Sequence, residues 1–224
     1  DYTDVCPECG EKAVSYAGFG TQRIEDELSE IFPNARILRM DADTTMARYS
    51  YQDKLTAFAN GEYDILLGTQ MVAKGLDFPR VTLVGIISID QQLYNDDFRS
   101  SEKAFDLLTQ VIGRSGRGDY KGKAYIQTVL PDNDIIELSA AQDYESFYET
   151  ESLIRKSMVY PPFCDICSVT FSSEQYNKSL GSAKLFFDML KDAVTGDYKD
   201  VKINVLGPIQ PRVNKISNKY RNIL

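Results

Sequence analysis

Apolar and polar positions along the chain alternate between a helical and an extended period. Behind Gly20 and Thr21, the apolar residues Ile24, Leu28, Ile31 and Phe32 recur at helical spacing. That spacing predicts a helix with one apolar face, and Thr21 is the expected N-cap. Glu25, Asp26 and Glu27 suit its positive N-terminal end; Pro33 and Asn34 stop it. Val14 to Ala17 ahead of it and Arg36 to Met40 behind it read as strands. Ser50 and Asp53 have capping-box spacing and open a second helix, with Leu55 and Phe58 inward and Asn60-Gly61 at its close. Asp64 to Leu67 is a short buried strand. Val81 to Ile89 is a nearly continuous apolar run, which predicts a strand buried on both faces. A helix from about Glu102 to Ile112 and a strand from Ala124 to Val129 follow. Strands alternating with helices predict an α/β lobe layered on a parallel sheet. Ligands gather at the carboxyl ends of such strands.

The pattern then changes. Between Lys123 and Arg155 there is no basic residue, while Asp132, Asp134, Glu137, Asp143, Glu145, Glu149 and Glu151 accumulate. Asp143 to Lys156 reads as a connecting helix that buries Tyr144, Phe147, Tyr148 and Leu153. Tyr160-Pro161-Pro162-Phe163 breaks it and marks a boundary. Beyond lie a strand in Phe163 to Phe171, a helix carrying Leu180, Ala183, Phe187, Leu190 and Val194, a strand at Val201 to Leu206 and a turn at Gly207-Pro208. These predict a smaller α+β domain. After Asp200 the charged residues are all basic: Lys202, Arg212, Lys215, Lys219 and Arg221. This tail is either a phosphate-contacting surface or a solvated segment.

Composition narrows the chemistry. A formal charge of −8 excludes a uniformly basic coat and leaves room for a local basic groove. The chain has no histidine, which removes His-based acid–base catalysis, Ser-His-Asp triads and His metal sites. No apolar run is long enough for a bilayer and no secretion signal is evident, so a cytoplasmic protein with no membrane partner is expected. The opening at Asp1 without a methionine and the apolar end at Ile223-Leu224 read as parts of a longer protein. Cys6 and Cys9 have the C-x-x-C spacing of half a zinc knuckle, with a free thiol pair as the alternative. Cys164 and Cys167 repeat the spacing inside the predicted strand. Residues three apart in a strand point to opposite faces, so these two are expected as small buried side chains.

Two stretches carry the candidate function. Gly68 to Phe78 reads GTQMVAKGLDF and follows a strand end; Gln110 to Arg117 reads QVIGRSGR and follows a helix. In the second, glycines open the backbone and Arg114 and Arg117 supply planar charged forks suited to phosphate. Their spacing of three puts both on one side of a helical turn. A mobile Gly/Arg loop is the alternative for that stretch taken alone.

In this order on an α/β lobe, the pair resembles motifs V and VI of superfamily 2 helicases. FGTQRIEDELSEIFPNARILRMDADTT, GTQMVAKGLDFPRVTLVGIISID, DFRSSEKAFDLLTQVIGRSGRG and YPPF, with CPECG ahead of them, further resemble the PriA family of primosomal replication-restart helicases. The resemblance implies a second RecA-like helicase lobe at residues 13–133, a remnant of a zinc-binding insertion at 1–12, an acidic linker helix at 134–162 and an incomplete α+β C-terminal domain at 163–224. It implies that Arg114 and Arg117 reach the γ-phosphate of ATP held by the first lobe, and that Gln110, Gly75 and Asp77 lie near the nucleotide. Thr69 would contact single-strand phosphates. Thr21 and Gln22 open a helix whose N-terminus could hold another. Cys6 and Cys9 match the last pair of the zinc insertion.

No stretch matches the G-x-x-x-x-G-K-[ST] phosphate loop or the acidic Mg²⁺ motif, so ATP and Mg²⁺ are expected to need the first lobe of the same chain. The implied activity is ATP-dependent 3′-to-5′ DNA unwinding at stalled forks. Implied partners are forked and single-stranded DNA, single-strand-binding protein and primosome or helicase-loading proteins. The alternatives are a non-catalytic module binding DNA or single-strand-binding protein, and another superfamily 2 translocase.

Overall fold

The computed structural model describes residues 20–41, 48–70, 78–113 and 122–224. The chain divides into two compact units, residues 1–154 and 155–224.

The first unit alternates helix and strand. Its described elements are α1 (Thr21–Ile31), β1 (Ile37–Met40), α2 (Arg48–Ala59), β2 (Ile65–Gly68), β3 (Leu83–Ile86), the short α3 (Asp90–Leu93), α4 (Ser100–Ile112), β4 (Lys123–Ile126), α5 (Asp134–Ala141) and most of α6 (Tyr144–Met158). β1 and β2 pair in parallel, with Ile37 opposite Ile65 and Met40 opposite Gly68. β3 and β4 also pair in parallel, with Leu83 opposite Lys123 and Ile86 opposite Ile126. Parallel pairs joined through helices are the α/β arrangement that the hydrophobic pattern predicts.

The pleat divides the side chains of β1 between two layers. Leu38 and Met40 are buried with Leu55 of α2, and Phe58 meets Phe78 edge to face at 4.9 Å. Arg39 takes the other face, toward α1. A second cluster joins Ile89, Ala104 and Leu108 to Ile136 of α5. Phe105 of α4 stacks on Phe147 of α6 at 4.1 Å. The amino ends of β1 and β2 are pinned by Arg36. Its N–H and Nε donate to Asp64 Oδ2, each at 2.9 Å, and its Nη2 donates to Gly61 O at 2.8 Å.

Several local expectations change. The N-cap of α1 is Gly20, at φ −62° and ψ 147°, and Thr21 is the first helical residue. Its hydroxyl is used elsewhere, as described below. α2 begins at Arg48, which puts Ser50 inside the helix rather than at its cap. Ile24 and Leu28 line an apolar groove of about 430 Å³ with Gly85, Ile87 and Tyr125, while Ile31 and Phe32 remain exposed. The run Val81 to Ile89 holds only a four-residue strand, alternately exposed and half-buried. Ser88 takes a positive φ of 56° that ends the extended path, and Ile89 turns into the core. The acidic stretch contains two helices. Asn133 Oδ1 accepts from Ile135 N–H at 3.0 Å and starts α5, and Gln142 in the left-handed region ends it. Of the four residues expected to be buried in α6, only Phe147 is; Tyr144, Tyr148 and Leu153 are exposed. One stripe of a helix can face α4, and Phe147 occupies it.

Asp97 holds the start of α4. Its Oδ1 accepts from the Arg99 N–H at 3.0 Å and from Arg99 Nε at 3.2 Å, and its Oδ2 pairs with Lys103 Nζ. These donors, Lys103 first, keep the Asp97 carboxyl well below the usual carboxylate range.

The second unit contains β5 (Thr170–Ser173), α7 (Tyr176–Thr195), β6 (Lys215–Ile216) and β7 (Lys219–Ile223). The sheet is antiparallel in the order β5-β7-β6. Ser217 and Asn218 both have positive φ, 48° and 62°, which makes the two-residue primed turn of a tight hairpin. Helix α7 buries Ala183 against the sheet. A buried polar chain ties them. Asn222 Nδ2 donates to Ser179 Oγ, which donates to Phe171 O, both at 2.9 Å. Each buried group therefore finds a partner.

Here the extended segments fall elsewhere than expected. Residues 163–169 and 201–206 are irregular, and the strands lie in Thr170–Ser173 and in the basic tail. Cys164 is half-buried and donates its Sγ–H to Val159 O, and Cys167 is exposed. Neither is a buried side chain in a sheet. Gly207 has φ +107°, and a Cβ there would lie 2.9 Å from Ile223 O.

Gly207→Ala is therefore expected to lower the stability of the second unit by about 1–3 kcal/mol, seen as a lower urea midpoint; an unchanged midpoint would contradict the close approach. Asp97→Asn is expected to lower the midpoint of the first unit at pH 7. Because the folded carboxyl titrates below its unfolded value of about 3.9, this deficit should persist down to about pH 4 and shrink as pH falls further, through the folded pKa. Urea midpoints of both proteins at pH 7, 5 and 3 check the sign.

Candidate nucleic-acid interface

Parallel pairing aligns the carboxyl ends of β1 and β2. Met40 stands opposite Gly68, so Asp41 and Thr69 leave the sheet side by side, on strands about 4.8 Å apart. The first turn of α1 lies over this edge. Thr21 Oγ1 donates to Asp41 Oδ2 at 2.7 Å. Arg39 Nη1 donates to Glu25 Oε2 at 2.8 Å and to Gln22 Oε1. Arg39 Nε lies 3.1 Å from Asp41 Oδ2, an ion-pair contact without hydrogen-bond alignment. Both side chains of that pair are largely buried, at 17% and 12% exposure.

The neighbouring strand ends are connected as well. Gln70 Nε2 donates to Gln92 Oε1 at 3.1 Å, which joins the segment after β2 to α3. Asp90 accepts from Thr128 Oγ1 at 2.8 Å and from Val129 N–H at 3.3 Å, which closes the carboxyl ends of β3 and β4.

Three sequence-predicted residues thus come to one edge. Thr21 is half-buried there, and Gln22 and Thr69 are exposed. Gln110 is exposed on the last turn of α4, whose C-cap Gly113 donates its N–H to Thr109 O at 3.0 Å. Arg114, Arg117, Gly75, Asp77, Cys6 and Cys9, and the predicted strand at Val14 to Ala17, lie outside the described residues. Among the described residues no group of three metal-ligating side chains is present, and no helix is long and apolar enough to cross a membrane.

In the basic tail, Lys215 and Tyr220 are paired across the hairpin, and Lys215 Nζ lies 4.7 Å from the Tyr220 ring centroid. Lys219 and Arg221 alternate with Tyr220 along β7 and take the opposite face. The tail's cations are therefore divided between two faces.

Sequence reasoning missed Arg39, Asp41, Asp90 and Gln92. The available signal was positional: Arg39 is a charge between two core positions, Leu38 and Met40, and so needs acidic partners from the covering helix.

The edge offers hydroxyl, carboxamide and backbone N–H donors at a helix N-terminus and a strand end. Such groups suit phosphate oxygens without reading bases. Comparison with known proteins gives this edge a context. The replication restart protein PriA of Bacillus subtilis (strain 168) is 45% identical over 216 residues, 96% of this chain and 26% of that protein. Its namesake in Chlamydia trachomatis is 42% identical over 203 residues, 90% of this chain and 27% of that protein. The one in Borreliella burgdorferi is 37% identical over 216 residues, 96% and 32% respectively. The chain thus spans about a quarter to a third of the length of these relatives. Residues 8–119 match the helicase conserved C-terminal domain, which agrees with the parallel α/β architecture, and the chain belongs to that family of RecA-like helicase lobes.

Proposed function

We propose that this chain supplies the second motor lobe and C-terminal domain of an ATP-dependent DNA helicase of replication restart that moves 3′ to 5′. The observation that carries this reading is the meeting of Thr21, Gln22 and Thr69 at one strand-end edge of a helicase C-terminal lobe. Phosphate contacts from such an edge hold a single strand in register and are indifferent to sequence, as a motor requires. The similarity to restart proteins over 96% of the chain supports the biological setting.

On this reading Arg114 and Arg117 reach across to the γ-phosphate, with Arg117 as the finger, while Gln110, Gly75 and Asp77 face the nucleotide. ATP with Mg²⁺ supplies the driving hydrolysis when bound between this lobe and the first lobe of the same chain. Cys6 and Cys9 hold Zn²⁺ together with ligands from preceding chain. Forked and single-stranded DNA, single-strand-binding protein and helicase-loading proteins are the partners, in the cytoplasm.

In the full-length protein, Arg117→Ala is expected to lower DNA-stimulated ATP turnover by about 10³-fold or more, measured as kcat at saturating single-stranded DNA. The 224-residue chain alone should give no turnover; hydrolysis by it that Arg117→Ala abolishes would overturn the two-lobe assignment. Unwinding of duplexes with a 3′ but not a 5′ single-stranded tail checks the direction.

A further inference from the structure

We propose that Gln142 is a positioning residue for the arginine-bearing stretch: its side chain props the last turn of α4 and fixes the direction in which the chain leaves Gly113 for Arg114 and Arg117. This rests on the proposed role of Arg117 at the γ-phosphate.

Gly113 and Gln142 each stand where the other's residue type would be expected. Gly113, the C-cap of α4, has φ −64° and ψ −5°. Any residue adopts that conformation, so the backbone there does not call for glycine. Gln142, the C-cap of α5, has φ 54° and ψ 33°. That is the left-handed region, where glycine is the common choice and a side chain is strained. The two residues meet. A Cβ at Gly113 would lie 3.3 Å from Gln142 Nε2 and 3.1 Å from Thr109 O. The glycine therefore opens the backbone to the Gln142 amide rather than to a ligand, and the strained glutamine gains a contact that glycine could not make.

The corner that carries Gln142 is fixed from both sides, as a strained residue requires. Gln142 N–H donates to Ser139 O at 3.1 Å and Asp143 N–H to Leu138 O at 2.9 Å, which closes α5. Asp143 then opens α6, accepting from Ser146 N–H at 3.1 Å and from Ser146 Oγ at 2.7 Å. Both helices grip α4: Ile136 of α5 packs with Leu108, and Phe147 of α6 stacks on Phe105. At the corner between them, Gln142 touches the C-terminal turn of α4. Gln110 lies on that turn, and its carbonyl oxygen is 3.9 Å from the same point over Gly113. The next side chain along is Arg114. A change in the direction of this turn is carried along the chain to Arg117, and displacing a catalytic group by about 1 Å can cost about 10²-fold in rate.

The test uses the full-length protein and its ATP turnover at saturating single-stranded DNA. Gln142→Gly suits the left-handed backbone, so it should leave the urea midpoint of the 224-residue chain unchanged or raised. It should nonetheless lower kcat by about tenfold, with KM for ATP and the Kd for oligo-dT within about twofold of the unsubstituted protein. Gln142→Met, which keeps the length of the side chain and its cover over Gly113, should restore most of kcat. Gly113→Ala, which takes the space of the amide, should lower kcat alone and add little to Gln142→Gly. In an Arg117→Ala background Gln142→Gly should have no further effect, because it acts through the arginine. An unchanged kcat with Gln142→Gly, a loss matched by a lower urea midpoint, or losses additive with Gly113→Ala or Arg117→Ala would overturn the positioning role and leave the two-lobe reading standing. Unchanged turnover with Arg117→Ala would overturn that reading, and this role with it.

Discussion

Parallel pairing of β1 with β2 ends both strands at one level, because Met40 stands opposite Gly68. A charged pair holds that register where the strands begin, and a second cluster ties the end of β1 to α1. Arg36 clamps Asp64 and Gly61 where the strands begin. Arg39 and Asp41 fasten the strand end to α1. A slip of one residue would reverse every side chain of β1. Leu38 and Met40 would leave the α2 core and Arg39 would enter it. The apolar gain from burying Leu38 and Met40 therefore also fixes the polar edge, and the site follows from the core.

The sequence showed this logic unevenly. Helices with a clear apolar stripe, α1, α4 and α7, were legible because periodicity survives in the residues themselves. Of the helix starts, those at Thr21 and Ser50 were misread, since serine and threonine serve caps, turns and tertiary bonds alike. Thr21 spends its hydroxyl on Asp41, twenty residues away, which no local pattern encodes. Strands were harder. Phe163 to Phe171 and Val201 to Leu206 are rich in β-formers and mostly irregular, whereas the basic Lys219–Ile223 is the central strand of its sheet. Strand propensity largely reports fit to a half-buried surface, and that surface is made here by α7, through Ser179 and Asn222. The helicase-lobe motifs were legible as text, and Gln92, which accepts from Gln70 at the described start of the first, was not.

The second unit repeats the principle with a different chemistry. Its sheet is small, and many of its apolar side chains are exposed, among them Leu185, Met189, Leu206 and Val213. Burial alone specifies such a sheet weakly. The buried Asn222–Ser179–Phe171 chain adds direction, because an amide, a hydroxyl and a carbonyl satisfy one another in one register only. Gly207 allows the segment after α7 to approach the end of β7 closely enough for Ile209 and Ile223 to exchange backbone hydrogen bonds, at 2.9 and 2.8 Å.

A chain of net charge −8 meeting a polyanion looks unfavourable until the acids are followed individually. Asp64 faces Arg36, Asp97 faces Arg99 and Lys103, and Asp41 and Glu25 share Arg39. These carboxylates are engaged by cations within hydrogen-bond reach, and exposed charges farther off than about 8–10 Å are largely screened at physiological salt. Arg39 offsets only one of Asp41 and Glu25, so a phosphate at the strand-end edge would meet N–H, hydroxyl and carboxamide donors beside one net negative charge. Neutral donors neutralise no phosphate and so add nothing to counterion release, whereas each single-strand phosphate neutralised by Lys or Arg adds about −0.7 to the slope of log affinity against log salt. On the proposed reading, an edge of this kind would hold a single strand loosely and with little dependence on sequence, which suits release and regrip at every step.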